Sequence, residues 1–271
     1  MCGRYVIASK YERIRTAFSH PILKGPEFDS NLFVLPGEHV PVISSDNPNA
    51  IELMRFGFTP SWGSKKHFTL NARAEGDKNK TNDPNYKGGF GILQKPFFKT
   101  SIRQRRCLVI ADAFIEGPAK EKLKKPYLVY PRNKKRPFTM AGVWDEWLNP
   151  DTGILEHTFA IITYTSNDLM QRIGHHRSPV IISPNKHRKW LNTETPLHKI
   201  TAMIKTFDPK QWNAFRLDPE RVKTKSPEGL LQISNPIYNE YIEIRKPYTQ
   251  DEIDKGLHLG SIDRRRHGFK D

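Results

Sequence analysis

Between residues 105 and 166 four runs follow in quick succession: RRCLVIADAFIEG, KPYLVYP, RPFTMAGVWDEW and HTFAIITYTS. Each is short, rich in β-branched or aromatic residues and bounded by turn formers, the spacing of antiparallel strands in a sheet folded around itself. Upstream, LFVLPGEHVPVISS and AIELMRFGFTP read as further strands broken by turns. Helical signals are brief by comparison. The pattern predicts an α+β fold with a predominantly antiparallel, barrel-like sheet core flanked by short helices.

The helices are placed by their start signals. Ser9 followed by Glu12 has the form of a capping box, with Tyr11, Ile14, Arg15 and Phe18 along one side of the turn that follows. NDLMQRIG predicts a second short helix, and Ser183-Pro184 a third start, with serine as cap and proline at the first helical position. Leu197, Ile200, Ile204 and Phe207 then recur at helical spacing. HPILKGPEFDSN reads as loop, and the polar, glycine-paired stretch 76–94 as a surface loop. The expected organisation is one domain over 1–240 and a basic, loosely held tail over 241–271, ending SIDRRRHGFKD.

Charge narrows the partners. Lysine and arginine total 44 against 29 acids, a formal balance of +15, which favours polyanions such as DNA, RNA or an anionic membrane face. No apolar run approaches the roughly 20 residues needed to span a bilayer, and MCGRYVIASKYERIR lacks the layout of a signal peptide. Two cysteines supply neither a disulfide framework nor a zinc site, so no metal and no cofactor are expected, and a reducing intracellular compartment fits. Cys107, inside RRCLVIADAF, reads as a small buried hydrophobe on a strand.

The other cysteine stands at position 2. If Met1 is removed, its α-amine (pKa about 8) and its thiol (about 8.5) sit on adjacent carbons. Such a 1,2-aminothiol condenses with an aldehyde to an imine, and the sulfur then closes onto the same carbon as a five-membered thiazolidine. Terminal residues are more often idle, so position alone carries little weight. It gains weight from TLNARAEG (69–76), RRCLVIADAFIEG (105–117) and IGHHRSPVII (173–182). With MCGRY these segments resemble the SRAP family, whose members attach covalently to abasic sites in single-stranded DNA. The resemblance extends through PSWG (60–63), KPYLV, AGVW (141–144) and FAIITYTS to about residue 235.

The resemblance implies roles position by position. Cys2 matches the family nucleophile, exposed by removal of Met1, a cleavage the protein itself is expected to perform. Asn71 matches a residue that positions the amine, and Glu116 a glutamate that handles protons near that terminus. His175 matches the histidine of an H-x-R-M-P pattern, suited to protonating the sugar ring oxygen as the aldehyde opens. Arg4, Arg73 and Arg177 are expected to clamp phosphates. Trp62, with Phe56 and Phe58 beside it, is the candidate face for a base. Taken singly, each of these residues has a bland reading: a loop hydrogen bonder, a strand end, an exposed imidazole, a core aromatic.

The chain departs from the family pattern at four places: Ser178 stands where methionine is usual, Gly117 where a tryptophan follows the glutamate, Phe56 for another tryptophan, and Leu32-Phe33 for Tyr-Asn. None removes a reacting group. The implied partner is single-stranded DNA containing abasic sites, bound by a monomer. The expected location is the cytoplasm and nucleoid of a bacterium or the nucleus of a eukaryote. Two rivals remain. A terminal-cysteine peptidase would use the same Cys2 and base and turn over amides, and a non-covalent single-strand binding module would use the charge and the arginines and leave Cys2 without purpose.

Overall fold

The computed structural model describes residues 3–19, 21–132 and 136–239. Cys2 and the tail expected over 241–271 lie outside the described residues. The strand-rich middle of the sequence forms a closed ring of five strands. Strand β11 (Leu155–Thr165) pairs antiparallel with β10 (Phe138–Leu148), which pairs with β7 (Arg106–Ala111). β7 pairs with β4 (His39–Ser44) and β4 with β5 (Ala50–Phe56), again antiparallel. β5 then returns to β11 in parallel, Thr158 beside Arg55 and Phe159 beside Phe56, and the ring is shut. Closure removes the unpaired edges that an open sheet exposes.

A second sheet lies in the order β14 (Trp212–Arg216), β9 (Tyr127–Pro131), β8 (Ala113–Glu116), β1 (Tyr5–Ile7), β3 (Asn31–Val34). Side-chain alternation divides the core accordingly. One face of the ring strands supplies Val42, Met54, Phe56, Val109, Met140, Phe159 and Ile161, which cluster with Tyr5, Phe114, Val129 and Trp212 of the second sheet. The alternate residues Ile43, Ile51, Leu108, Ile110, Val143 and Ile162 cluster instead with Ile14, Ile102, Trp190 and Ile200. Those four come from α1 (Tyr11–Ala17), α2 (Ser101–Gln104), α4 (His187–Leu191) and α5 (Leu197–Thr201). The α+β, mainly antiparallel, barrel-like reading with short helices holds. Cys107 is fully buried on β7, its thiol pushed far up by burial.

Several local expectations are revised. Ser9 does not cap α1. Its hydroxyl donates to Asp112 Oδ1 at 2.7 Å, and the helix begins after Lys10 without a side-chain cap. Asp112, in the break between β7 and β8, also accepts from the backbone N–H of Ala8 and Ser9, both at 2.8 Å, and this long-range carboxylate outcompetes the local cap. Ile22–Leu23, read as loop, forms strand β2, which adds to β5. The helical run read through Phe207 stops at Thr201, and Ile204 and Phe207 are buried beyond it. The 76–94 stretch is not simply surface. Asn79, Gly91 and Ile92 are buried, and the Ile92 N–H bonds back to the Ala74 carbonyl. Among the described residues no helix is long and apolar enough to cross a membrane.

Candidate active site

Two short strands flank the end of β11. β6 (Asn71–Arg73) runs parallel to it, Asn71 level with Ile161 and Arg73 with Thr163. β12 (Arg177–Pro179) runs antiparallel, Arg177 level with Thr165. NARAE and HHRSP, a hundred residues apart in sequence, thereby meet at one place. Helix α3 (Asp168–Arg172), capped by Asn167 whose Oδ1 accepts from the Met170 N–H, feeds the chain into that junction. Gly174 takes a positive φ of 82° to turn out of the helix, and the His175 N–H bonds to the Met170 carbonyl.

The second sheet brings the remaining groups. β8 ends at Glu116 and pairs with β1 in the register Tyr5 to Phe114, with the Ile115 N–H donating to the Arg4 carbonyl at 2.9 Å. Continued by two residues, that register sets Gly3 level with Glu116. Next, Gly117 lets the lysine-rich connector fold back: a Cβ there would meet the Lys122 carbonyl oxygen at 1.8 Å. The place of the family tryptophan is therefore filled by backbone. The Ala119 N–H donates to the Gly174 carbonyl at 3.0 Å, so the same connector braces the turn before His175.

Glu116 and His175 meet. Glu116 Oε1 lies 3.5 Å from His175 Nε2, and both side chains are buried. Burial pushes the Glu116 carboxyl up, against the pull of the Gly117 N–H on Oε1, and pushes the His175 imidazole down to about 4. Attraction between an ionised pair would move both values the other way, so desolvation is the larger influence on each. His175 Nδ1 lies 3.0 Å from the Arg177 carbonyl, an acceptor only, which assigns the ring proton to Nδ1 and leaves the Nε2 lone pair toward Glu116. His176 stacks on His175, ring centroids 5.0 Å apart, and burial lowers its pKa as well.

The expected DNA-contacting residues divide. Asn71 and Arg73, two apart on β6, share a face with buried Ala72 between them, and both are half-buried. Arg73 donates to the Asn79 carbonyl and retains a buried Nε with no hydrogen-bond partner. Arg4 is half-buried beside β8. Arg177, expected as a phosphate clamp, has its guanidinium buried and bidentate on Glu75, both N···O distances 2.7 Å, with Nη2 also on the Thr163 carbonyl. Trp62 is 63% exposed and edge-on to Phe97 at 5.7 Å. Of the two readings left open for Phe56 and Phe58 the structure shows the core one, Phe56 stacked on Phe159 and crossed by Tyr5. Ser178 is buried and its hydroxyl accepts from the Asn167 N–H, so it secures the start of α3.

Sequence reasoning missed Glu75, Asp112 and His176. Glu75 lies inside the quoted NARAEG, yet its partner is 102 positions away, and only the pairing of β6 and β12 with β11 joins them. Among the described residues no group of three His, Cys, Asp or Glu could hold a metal ion.

The chain is similar to several known proteins. The abasic site processing protein YoqW of Bacillus subtilis is 26% identical over 236 residues, 84% of this chain and 98% of that protein. The abasic site processing protein HMCES of Gallus gallus is 29% identical over 235 residues, 78% of this chain and 65% of that one. A solved structure from Bacteroides thetaiotaomicron superposes with a TM-score of 0.69 at 26% identity, covering 84% of this chain and 97% of that one. Residues 1–224 match the family described as SOS response associated peptidase, and the chain belongs to that family, SRAP.

Proposed function

We propose that this protein processes abasic sites in single-stranded DNA by forming a covalent thiazolidine through Cys2 once Met1 is removed. The relatives' names supply the substrate class. The observation that carries the chemistry is the buried Glu116–His175 pair at the level where β1 leads back to the chain start. The Cys2 amine adds to C1′ of the ring-opened sugar aldehyde and gives a carbinolamine. Protonation of its hydroxyl expels water and leaves an imine. The thiol then adds across the C=N bond, its proton passing to nitrogen. One water is lost in total, and nothing is oxidised or reduced.

A carboxyl whose pKa burial raises suits a proton donor in the dehydration step, and the imidazole at 3.5 Å suits recovery of the proton. In this reading Asn71 orients the amine, Arg4 and Arg73 attract the flanking phosphates, and exposed Trp62 offers a face to a base. Removal of Met1 belongs to the same proposal. Water attacks the Met1 carbonyl, the departing Cys2 nitrogen takes a proton from Glu116, and the proton given up by the water returns to the Glu116 carboxylate.

Incubation with an abasic oligonucleotide, read by denaturing gel and intact mass, tests the proposal. One protein should add per abasic strand and none to an intact strand, and Cys2→Ala should abolish the adduct. Cys2→Ser should form only an imine, visible after borohydride reduction. Equal, salt-sensitive binding of intact and abasic strands with no adduct would replace the proposal with a non-covalent binding module. Multiple turnover of peptides supplied in trans would favour the peptidase.

A further inference from the structure

His175 Nδ1 stands between two groups of one residue. The Arg177 carbonyl lies at 3.0 Å and the Arg177 N–H at 3.4 Å. The carbonyl bond requires a proton on Nδ1 and leaves Nε2 as acceptor. If the N–H bond took its place, Nδ1 would accept and the ring proton would move to Nε2, which would then aim an N–H at Glu116. A small displacement of the Arg177 backbone therefore decides which atom type faces the carboxyl.

The Arg177 side chain adds an anchor to that backbone. β12 has only three residues, Arg177 lies level with Thr165 of β11, and the Ala119–Gly174 and His175–Met170 backbone bonds hold the turn before it. The guanidinium grips both Glu75 oxygens at 2.7 Å and adds Thr163 Oγ1 at 3.2 Å and the Thr163 carbonyl at 3.0 Å. Glu75 is itself immobilised. It has no exposure, Arg73 Nε approaches Oε2 at 3.9 Å, and Asn79 Nδ2 reaches Oε1 at 3.5 Å. Gly91 packs over it so tightly that a Cβ there would meet the Glu75 carbonyl oxygen at 2.3 Å. A buried ion pair of this kind is a poor source of net stability, since apolar residues of similar volume do as well. Its geometric consequence is specific.

We propose that Glu75 is a positioning residue: by locking the Arg177 fork it holds the Arg177 carbonyl on His175 Nδ1–H and so keeps the Nε2 lone pair facing Glu116. The inference rests on the catalytic reading above, but its first readout does not need DNA. In the full chain labelled with 15N-histidine, His175 assigned by His175→Gln should show the Nδ1–H tautomer at neutral pH. Glu75→Gln, which keeps the shape and removes the charge, should give a mixed or Nε2–H tautomer. With abasic DNA its adduct rate at saturating strand should fall by about tenfold or more, within the range that general acid–base groups supply. The half-saturating DNA concentration should change less than twofold. Arg177→Lys, whose ammonium cannot grip both oxygens and which preserves the charge, should shift the tautomer in the same direction and covers the case in which Glu75→Gln does not fold. An unchanged Nδ1–H tautomer in the folded variants overturns the proposal and leaves the pair a structural brace. Absence of any adduct with the wild-type chain would instead overturn the catalytic reading, with the tautomer result still standing.

Discussion

Replacing Asp112 with alanine should destabilise the chain by about 3–5 kcal/mol, from two orphaned buried N–H groups at ~1–3 kcal/mol each and a lost charge-assisted hydroxyl bond. The carboxylate takes the Ala8 and Ser9 N–H groups at 2.8 Å and the Ser9 hydroxyl at 2.7 Å, and all of these residues are buried. It is also the counter-charge that partly offsets the burial of Arg136. Removing it leaves two backbone donors in a dry site and takes a nearby counter-charge from a buried arginine. For a chain of this size the loss corresponds to a fall in Tm of roughly 6–20 °C. Urea unfolding followed by tryptophan fluorescence reads the free energy, and Ser9→Ala, which loses only the hydroxyl bond, should cost about 1 kcal/mol. A loss below about 1 kcal/mol for Asp112→Ala would show that water replaces the carboxylate, and would refute the reading of this corner as a dry anchor for β1.

Other expectations follow from the same geometry. His175 and His187 are both held down to about 4 by burial, so the unfolded chain takes their protons first as pH falls. Stability should drop between pH 6.5 and 4 by up to about 3 kcal/mol for each histidine. Glu116, pushed up, works oppositely: the stability it adds is present below its ordinary value and lost as pH rises through the folded one. Urea titrations at stepped pH should show a net acid-side loss that His187→Gln reduces by more than half, because Glu116 opposes what remains, and a flat profile would contradict the burial account. Gly117→Trp, which restores the family residue, should disrupt folding here because the Lys122 carbonyl occupies the space, and a well-folded variant would refute that steric reading. Trp62→Ala should leave Tm within about 2 °C and weaken single-strand binding by ~1–3 kcal/mol in a fluorescence titration, whereas Phe56→Ala should cost ~3–5 kcal/mol of stability.

The fold was largely legible because its determinants are local. Strands such as FAIITYTS and CLVIA carry their alternation and β-branching within a few residues, and these became β11 and β7 of the closed ring. Ser9 was misread because a capping box is a local pattern, and Asp112, 103 positions on, offered a stronger acceptor. The aromatics beside Trp62 were ambiguous for a similar reason. Phe56 ends β5, whose two faces are both covered, and Phe58 lies beyond it on an isolated bridge to Thr69 and packs into the other core cluster, so alternation could not mark an outward side. Glu116 and His175 were singled out through the family likeness, but their mutual contact and burial depend on packing that only the assembled sheets create. Arg177 shows the limit of that likeness. A guanidinium beside a reacting histidine suggests phosphate from sequence, and here its fork is occupied by Glu75.

The most direct test is to digest the adduct formed with an abasic strand and sequence the modified peptide by tandem mass spectrometry. The account predicts a peptide beginning at Cys2, without Met1, carrying the sugar remnant with the loss of one water and no borohydride requirement. A remnant carried by a lysine side chain, or by a peptide that still begins with Met1, would contradict it.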